Sequence, residues 1–186
     1  MFKKSKPGIT ALSVILAISI VLAGFMTPLL KLIYPLKYEE YIQKHSDSFE
    51  LDPYLVMGVI SAESGFDESA KSHKDAKGLM QLKEETALWC IEKFEIDIKP
   101  EDVNTPDANI HIGCKYVDYL LELYDGNMIT AIAAYNAGPG NVDKWLSDPR
   151  YSGGKNSLKT IPFPETEQYV KKVQKRAKIY KRLYSN

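Results

Sequence analysis

Glu63 is a carboxylic acid at the end of an otherwise apolar segment. The eight residues before it, 55–62, carry no charge and are mostly apolar. Loss of water around a carboxyl group disfavours its ionised form and raises its pKa, which suits a general acid near neutral pH. Ser64, next in the chain, could hydrogen-bond a carboxyl group or a substrate. From these residues alone, Glu63 could also be an exposed acid that ends a helix.

Two further segments place polar side chains beside glycines. Gln81 lies in the segment 78–82, Gly-Leu-Met-Gln-Leu, which is predicted to be a buried helix start. Its amide would be satisfied in the core or would contact a ligand. Tyr135 and Asn136 end a predicted helix, and the glycines at 138 and 140 would let a ligand approach the backbone closely. An ordinary helix stop would show the same pattern.

The cysteines and histidines do not form a metal-binding pattern. Cys90 and Cys114 have no zinc-like spacing, and the histidines at 45, 73 and 111 are scattered along the chain. We therefore predict no metal site. If the domain is exported, a Cys90–Cys114 disulfide is one prediction, and two buried free thiols are the other.

Residues 38–186 are predicted to form one compact all-α domain. Asp52 is a good N-cap before a proline, and Asn127 can cap the helix before Gly138. Gly113 lies inside a predicted helix, which favours a close approach of a second helix there. A short hairpin is possible within residues 65–77. Helices are predicted from about residue 38 and over 53–64, 84–94, 106–124, 128–137 and 165–184.

Residues 1–37 indicate the cellular compartment in which the domain is expected to lie. Three lysines at 3, 4 and 6 precede 24 uncharged residues, 7–30. As a helix this run would reach roughly 36 Å, enough to cross a hydrocarbon core of about 30 Å. The basic flank favours a cytoplasmic N-terminus and an extracytoplasmic domain. We expect a retained single-pass anchor, with secretion after cleavage near Ala23 as the alternative.

The charges balance over the whole chain but not locally. Lysine and arginine number 24, as do aspartate and glutamate, so net charge does not call for a nucleic acid partner. Residues 171–182 hold seven basic residues and no acid. This segment is predicted to be a solvated helix face or a basic face near an anionic membrane or wall polymer.

Four motifs in order carry a family resemblance. They are Glu-Ser-Gly-Phe at 63–66, Gly-Leu-Met-Gln-Leu at 78–82, Ala-Tyr-Asn-Ala-Gly-Pro-Gly at 134–140, and Glu-Thr at 165–166 with Tyr-Val at 169–170. Together they resemble the soluble lytic transglycosylase family, over residues 38–184. The resemblance implies an all-α, lysozyme-like domain of the goose-type and lytic transglycosylase class, behind the N-terminal transmembrane helix. Asp75 and Glu84 depart from the family pattern beside matched positions, which affects the expected loop shape.

The resemblance also implies roles for individual residues. Glu63 would be the sole catalytic acid and base, with Ser64 supporting it. Three residues would line the sugar cleft, and Glu165 and Tyr169 would face it from the last helix. Met80 would pack beneath the cleft floor. The cleft-lining residues are Gln81, Tyr135 and Asn136.

The implied substrate is peptidoglycan. Cleavage of the β-1,4 bond between N-acetylmuramic acid and N-acetylglucosamine would give a 1,6-anhydromuramic acid product, with no cofactor. One alternative is a muramidase that hydrolyses the same bond. Another is a non-catalytic wall-binding component of a secretion apparatus, although a binding module has no need of the acid.

Overall fold

The computed structural model describes residues 7–185, apart from the side chains of 7–12 and 17–23. The chain forms two compact units, which divide between Leu36 and Lys37. Among the described residues every regular element is helical, so the all-α prediction is confirmed. A short 3-10 helix spans Pro100–Asp102. The α-helices are α1 (Pro7–Ile33), α2 (Glu39–Ser48), α3 (Pro53–Glu63), α4 (Glu84–Lys93), α5 (Pro106–Leu123), α6 (Met128–Ala137), α7 (Pro139–Leu146) and α8 (Pro164–Tyr184).

Helix α1 belongs to the first unit. Within the described part of the chain, no helix has both the length and the apolar character needed to cross a membrane. The predicted transmembrane helix is therefore not supported by the structure. That prediction also rests on residues 1–6 and on the side chains of 7–12 and 17–23, which lie outside the described part. The large apolar side chains of α1 that are described as exposed are Val14, Ile15, Leu16, Phe25, Met26, Leu29, Leu32 and Ile33.

Helix α3 carries Glu63 at its last position. Asp52 caps it, accepting a hydrogen bond from the backbone N–H of Tyr54 at 2.9 Å, and Pro53 occupies the first helical position, where no N–H is needed. Residues 55–62 are all buried, so α3 is a central core helix. The predicted start is confirmed, and Ser64 caps the helix end.

Gly58 lets α8 pack closely against α3. A Cβ atom at Gly58 would lie 2.9 Å from the carbonyl oxygen of Val173 and 3.0 Å from the Cβ of Ala177. Any side chain there would push the two helices apart. Glycine is therefore the residue that allows α8 to reach the end of α3, where Glu63 lies.

Helix α6 begins and ends as the sequence predicts. The Asn127 side chain accepts from the Thr130 backbone N–H at 3.0 Å, and Gly138 ends the helix with a φ of 83°. Pro139 then starts α7 at once. The sequence analysis did not predict α7, because the Gly-Pro-Gly run was interpreted as a stop without the helix that follows it.

The segment 78–82 is a turn, so the predicted helix start is wrong. Lys77 and Leu82 exchange two backbone hydrogen bonds of 3.0 and 3.1 Å, which close the turn. Gln81 has a φ of 48°, outside the right-handed helical region. In place of a hairpin with strands, residues 65–77 contain a single antiparallel bridge, between Lys71 and Lys77.

Helix α5 holds this turn from below. The Asn109 side chain accepts from the Met80 backbone N–H at 2.8 Å and donates to the Lys77 carbonyl at 3.3 Å. A Cβ atom at Gly113 would lie 2.3 Å from the sulfur of Met80. The predicted close approach at Gly113 is therefore to Met80 in the turn and not to a second helix. Met80 is fully buried there, beneath Gln81.

Cys90 in α4 and Cys114 in α5 are both buried free thiols. Burial raises the pKa of each thiol, to about 12 for Cys90 and further for Cys114. Of the two arrangements that the sequence leaves open, the structure has the unpaired one.

Candidate active site

A cleft of about 650 Å³ opens where four elements meet: the end of α3, the turn 78–82, the end of α6 and the start of α8. Five of the seven predicted site residues line it, and Tyr116, Phe163 and Thr166 also contribute. The motifs that carry the family resemblance therefore converge on one cavity, although they are spread over more than 100 residues. The predicted residues in its lining are Glu63, Gln81, Tyr135, Asn136 and Glu165.

The Glu63 carboxyl group is half-buried at the inner end of the cleft. Its Oε1 accepts a hydrogen bond of 2.6 Å from the Tyr169 hydroxyl. Loss of solvent raises the pKa of Glu63 to about 7, against the opposing effects of the Tyr169 hydrogen bond and the Lys172 charge. A carboxyl group with this pKa is present in both protonation states near neutral pH, so it can donate a proton and take one back.

Two tyrosines enclose this carboxyl group. Tyr169 does not line the cleft itself, but its buried hydroxyl orients Glu63 from α8. The Tyr135 hydroxyl donates to the Met80 carbonyl at 2.8 Å, which joins α6 to the turn. Burial, with the Glu63 charge nearby, raises the pKa of both tyrosines well above the ordinary value. Both therefore remain neutral hydrogen-bond donors.

Gln81 is held rigidly by the turn that carries it. Its Nε2 donates to the carbonyls of Ala70 and Gly78, each at 2.9 Å. Both amide hydrogens are thus bound to the backbone, and the side-chain oxygen is the atom left for a ligand that donates a hydrogen bond.

The opposite wall is formed by the end of α6 and the start of α8. The Asn136 Oδ1 accepts from the Thr166 hydroxyl at 2.8 Å, which leaves the exposed amide nitrogen of Asn136 free to donate. Glu165 lies at the cleft mouth, 77% exposed, with its carboxylate 3.8 Å from the Lys74 ammonium. Glu165 is thus a solvated carboxylate, unlike Glu63.

Ser64, like Tyr169, is a predicted site residue that does not line the cleft. Its hydroxyl contacts the Leu79 carbonyl at 2.9 Å and accepts from the Phe66 backbone N–H at 3.1 Å. These bonds fasten the end of α3 to the turn that carries Gln81. The geometry gives Ser64 a positioning role, and its predicted contact with substrate has no support here.

Sequence reasoning missed two basic residues behind Glu63. Lys172 Nζ donates to the Ala62 carbonyl at 2.5 Å, and the Arg176 guanidinium donates to the Ser61 carbonyl and, at 2.6 Å, to the Ser61 hydroxyl. The basic run at 171–182 was the available signal. Helical spacing from Tyr169 selects these two, because residues three and seven positions on share its face.

Comparison with known proteins places this arrangement in a family. The family model described as the Transglycosylase SLT domain matches residues 40–158. The soluble lytic murein transglycosylase of Escherichia coli strain K12 is 33% identical over 164 residues, covering 85% of this chain and 25% of that protein. The chain therefore spans about a quarter of the length of this relative.

Solved structures give the same result. The X-ray structure of an inactive glutamate-to-glutamine mutant of the lytic transglycosylase Slt from Pseudomonas aeruginosa has a TM-score of 0.74 and 34% identity, covering 82% of this chain and 25% of that one. The 70-kDa soluble lytic transglycosylase in complex with bulgecin A has a TM-score of 0.76 and 29% identity, covering 92% and 28%. The predicted lysozyme-like lytic transglycosylase fold is confirmed, and the chain belongs to the Transglycosylase SLT domain family.

Proposed function

We propose that this domain is a peptidoglycan lytic transglycosylase with Glu63 as its catalytic acid and base. The observation that carries the proposal is a half-buried carboxyl group at the inner end of a polar cleft, with its pKa raised to about 7 and a tyrosine hydroxyl 2.6 Å from Oε1. The substrate bond is the β-1,4 linkage between N-acetylmuramic acid and N-acetylglucosamine.

In the first step, protonated Glu63 gives its proton to the glycosidic oxygen, so the leaving sugar departs as a neutral alcohol. Glu63 becomes a carboxylate. The Tyr169 hydrogen bond then stabilises the ionised form, because the hydroxyl donates to a charged oxygen. The N-acetyl group of the muramic acid assists departure from within the substrate.

In the second step, the carboxylate of Glu63 takes the proton of the muramic acid 6-hydroxyl. The 6-oxygen bonds to the anomeric carbon and closes the 1,6-anhydro ring, while the N-acetyl oxygen, which bonded to that carbon in the first step, leaves it. Attack within one molecule competes well with water, because the nucleophile is already in place. Conventional glycosidases use a second carboxylate for this step. Here the other acidic residues in the cleft lining, Glu85 and Glu165, are exposed and lie 3.3 and 3.8 Å from lysine ammonium groups.

Two loop acids that the sequence leaves as candidates do not change this assignment. Glu68 and Asp75 are absent from the described lining of the cleft. Asp75 is 81% exposed and pairs with Lys71 at 3.2 Å. Neither is placed to act across a sugar ring from Glu63, which favours the anhydro product over hydrolysis.

The sugar contacts belong to the polar atoms that the fold leaves free in the cleft. The Gln81 amide oxygen would accept a hydrogen bond from a sugar hydroxyl or N-acetyl group. The Asn136 amide nitrogen would donate a hydrogen bond to such a group. Tyr135 would pack against a sugar face, and Glu165 would contact the substrate at the mouth. Ser64 and Tyr169 would act indirectly, through the turn and through Glu63.

The relatives support this assignment. The Escherichia coli protein is named a soluble lytic murein transglycosylase, and the Pseudomonas aeruginosa enzyme is described as inactive with glutamine in place of one glutamate. The 70-kDa soluble lytic transglycosylase, which is similar in structure to this chain, was solved in complex with bulgecin A. The alternatives, a muramidase and a non-catalytic wall-binding protein, have no comparable support.

The test is analysis of products from purified cell walls by mass spectrometry. We expect muropeptides that end in 1,6-anhydro-N-acetylmuramic acid, lighter by one water than lysozyme products and resistant to borohydride reduction. Lysozyme digestion of the same walls is the control. Mainly reducing ends would establish a muramidase, and walls left intact by folded protein would support the binding module.

We further propose that the N-terminal segment attaches the domain to the outer face of the cytoplasmic membrane. The support is the uncharged run at 7–30 behind three lysines, together with the exposed apolar side chains of α1. The full chain should fractionate with membranes and expose its C-terminal domain to external protease. A shorter, secreted form that begins near Gly24 would instead establish cleavage.

A further inference from the structure

The position of Glu63 at the end of α3 is unfavourable for a negative charge. The last carbonyl groups of a helix have no partner within the helix, and the aligned peptide dipoles place about half a negative charge at that end. Glu63 is the final residue of α3. Its carboxylate would therefore be destabilised by its own helix as well as by the loss of water.

Helix α8 brings positive charge to this helix end. Lys172 Nζ donates to the Ala62 carbonyl, one residue before Glu63, at 2.5 Å, and Arg176 donates to the Ser61 carbonyl and hydroxyl. Tyr169, which holds the Glu63 carboxyl group, lies on the same face of α8, three residues before Lys172. A single face of α8 therefore contacts both the carboxyl group and the carbonyls behind it.

We propose that Lys172 is a positioning residue for the reaction, which caps the last turn of α3 and stabilises the ionised Glu63 that forms after proton donation. This role rests on the proposed function of Glu63. Without Lys172, the Glu63 carboxylate that exists between the two steps would be less stable. Protonated Glu63 would then be a weaker acid than in the wild type.

The electrostatics around Glu63 agree with this role. Burial raises the pKa of Glu63, whereas the Tyr169 hydrogen bond and the Lys172 charge lower it. Burial and the Arg176 charge lower the pKa of Lys172, and the Glu63 charge raises it. The other ionisable groups that line the described cleft are Tyr116 from α5, Tyr135 from α6 and, at the cleft rim, Lys74, Lys83, Glu85 and Glu165.

Arg176 provides the matched control. It caps the neighbouring carbonyl from the same face of α8, but its charge is not among those that shift the pKa of Glu63. Because Arg176 makes two hydrogen bonds to α3 and Lys172 makes one, removal of Arg176 should weaken the α3–α8 contact at least as much as removal of Lys172. Only removal of Lys172 should change the acidity of Glu63.

The experiment compares Lys172→Met, Lys172→Arg and Arg176→Met in the full chain. The rate of wall lysis is measured against pH, and the Glu63 carboxyl carbon is titrated by NMR. Because the proton donor must be protonated, the alkaline limb of the rate profile follows the pKa of Glu63. Lys172→Met should move both the limb and the titration upward by about half a pH unit, for a partly screened charge.

Lys172→Arg should retain the wild-type alkaline limb. Arg176→Met should also leave the limb in place, while lowering the melting temperature at least as much as Lys172→Met does. Lys172→Gln serves if the methionine variant does not fold. An unmoved titration in Lys172→Met, or an equal shift in Arg176→Met, would overturn the proposal. The titration needs no activity, so absence of wall lysis in the wild type would count against the proposed function alone.

Discussion

Two carboxyl groups in this domain accept hydrogen bonds of nearly equal length, yet their acidities diverge. Glu63 Oε1 receives the Tyr169 hydroxyl at 2.6 Å, and Asp107 Oδ1 contacts His45 Nε2 at 2.7 Å. The pKa of Glu63 is raised to about 7. At Asp107 burial raises the pKa, but the hydrogen bonds and charges of His45 and Lys44 outweigh it, so the net pKa is lowered.

Position in the helix separates the two groups further. Glu63 ends α3, where the helix dipole is negative, and Asp107 lies in the first turn of α5, where it is positive. Glu63 and Asp107 are both half-buried. Burial raises the pKa of each, but only at Asp107 do the hydrogen bonds and neighbouring charges outweigh it. A short hydrogen bond therefore does not set the acidity of a carboxyl group. The loss of solvent, the end of the helix at which the group lies and the neighbouring charges together determine its pKa. They therefore determine whether the carboxyl group can act as an acid or serves only as a structural hydrogen-bond acceptor.

The largest expected effect is on catalysis. Glu63→Gln should reduce wall lysis by at least about a hundredfold, because the amide cannot donate and retake a proton. Asp107→Asn, the matched change at the other carboxyl group, should leave lysis near the wild-type rate. Turbidity loss of purified walls measures both. Near wild-type lysis by a folded Glu63→Gln variant would remove Glu63 from the mechanism.

The second effect is on stability, where the two substitutions should act in opposite directions. Because the pKa of Glu63 is raised in the folded protein, the free energy of unfolding falls as pH rises from 4.5 to about 7. The loss is about 3 kcal/mol once Glu63 is ionised in both the folded and the unfolded protein. Glu63→Gln should therefore raise the free energy of unfolding at pH 8 by up to this amount, and little at pH 4. Urea denaturation at the two pH values measures it, and no gain at pH 8 would contradict the raised pKa.

The third effect concerns the hydroxyl that holds the Glu63 carboxyl group. Tyr169→Phe removes a donor to the ionised form of Glu63, so the alkaline limb of wall lysis should rise by about one pH unit and the rate should fall roughly tenfold. His45→Phe, which removes the ring nitrogen at Asp107, is the control and should leave the pH profile unchanged. Coincident profiles for Tyr169→Phe and the wild type would show that the hydroxyl has no influence on Glu63.

The smallest effect is the loss of the Asp107 charge. Asp107→Asn should lower the free energy of unfolding by roughly 1 kcal/mol at pH 7, a value discounted for the exposure of the side chain. Because the native pKa lies below 3.8, this contribution is complete above that pH and disappears as pH falls through the native value. Chemical denaturation at decreasing pH should show the difference between the two proteins shrink as pH falls below 3.8, and a constant difference would assign the loss to packing.

Local signals in the sequence predicted the helices well. Asp52 before a proline and Asn127 before Met128 fix the starts of α3 and α6 through caps that act within a few residues. The turn 78–82 was misinterpreted as a helix start, because its shape depends on Asn109, 29 residues away from Met80. Sequence spacing does not report such a contact.

The same difference between local signals and distant contacts applies to the candidate site. The order of the motifs predicted that Glu63, Gln81 and Asn136 lie in one cleft, and they do. The indirect roles of Ser64 and Lys172, by contrast, depend on which backbone carbonyl each side chain contacts. Those contacts are set by the approach of α8 at Gly58 and by the turn, which are tertiary features. Most of the residues that line the cleft were predictable from the motifs, whereas the contacts by which Lys172 and Arg176 reach the end of α3 were not.

The contact between Asn109 and Met80 bears on the entropy cost of the proposed substrate binding. The Met80 amide and the Asn109 oxygen are buried, and Met80 is seated against Gly113. The turn that presents Gln81 is therefore ordered before any sugar arrives. If a glycan strand binds there as proposed, it loses its own conformational freedom but does not have to order the floor of the cleft. More of the contact energy would then be retained as affinity.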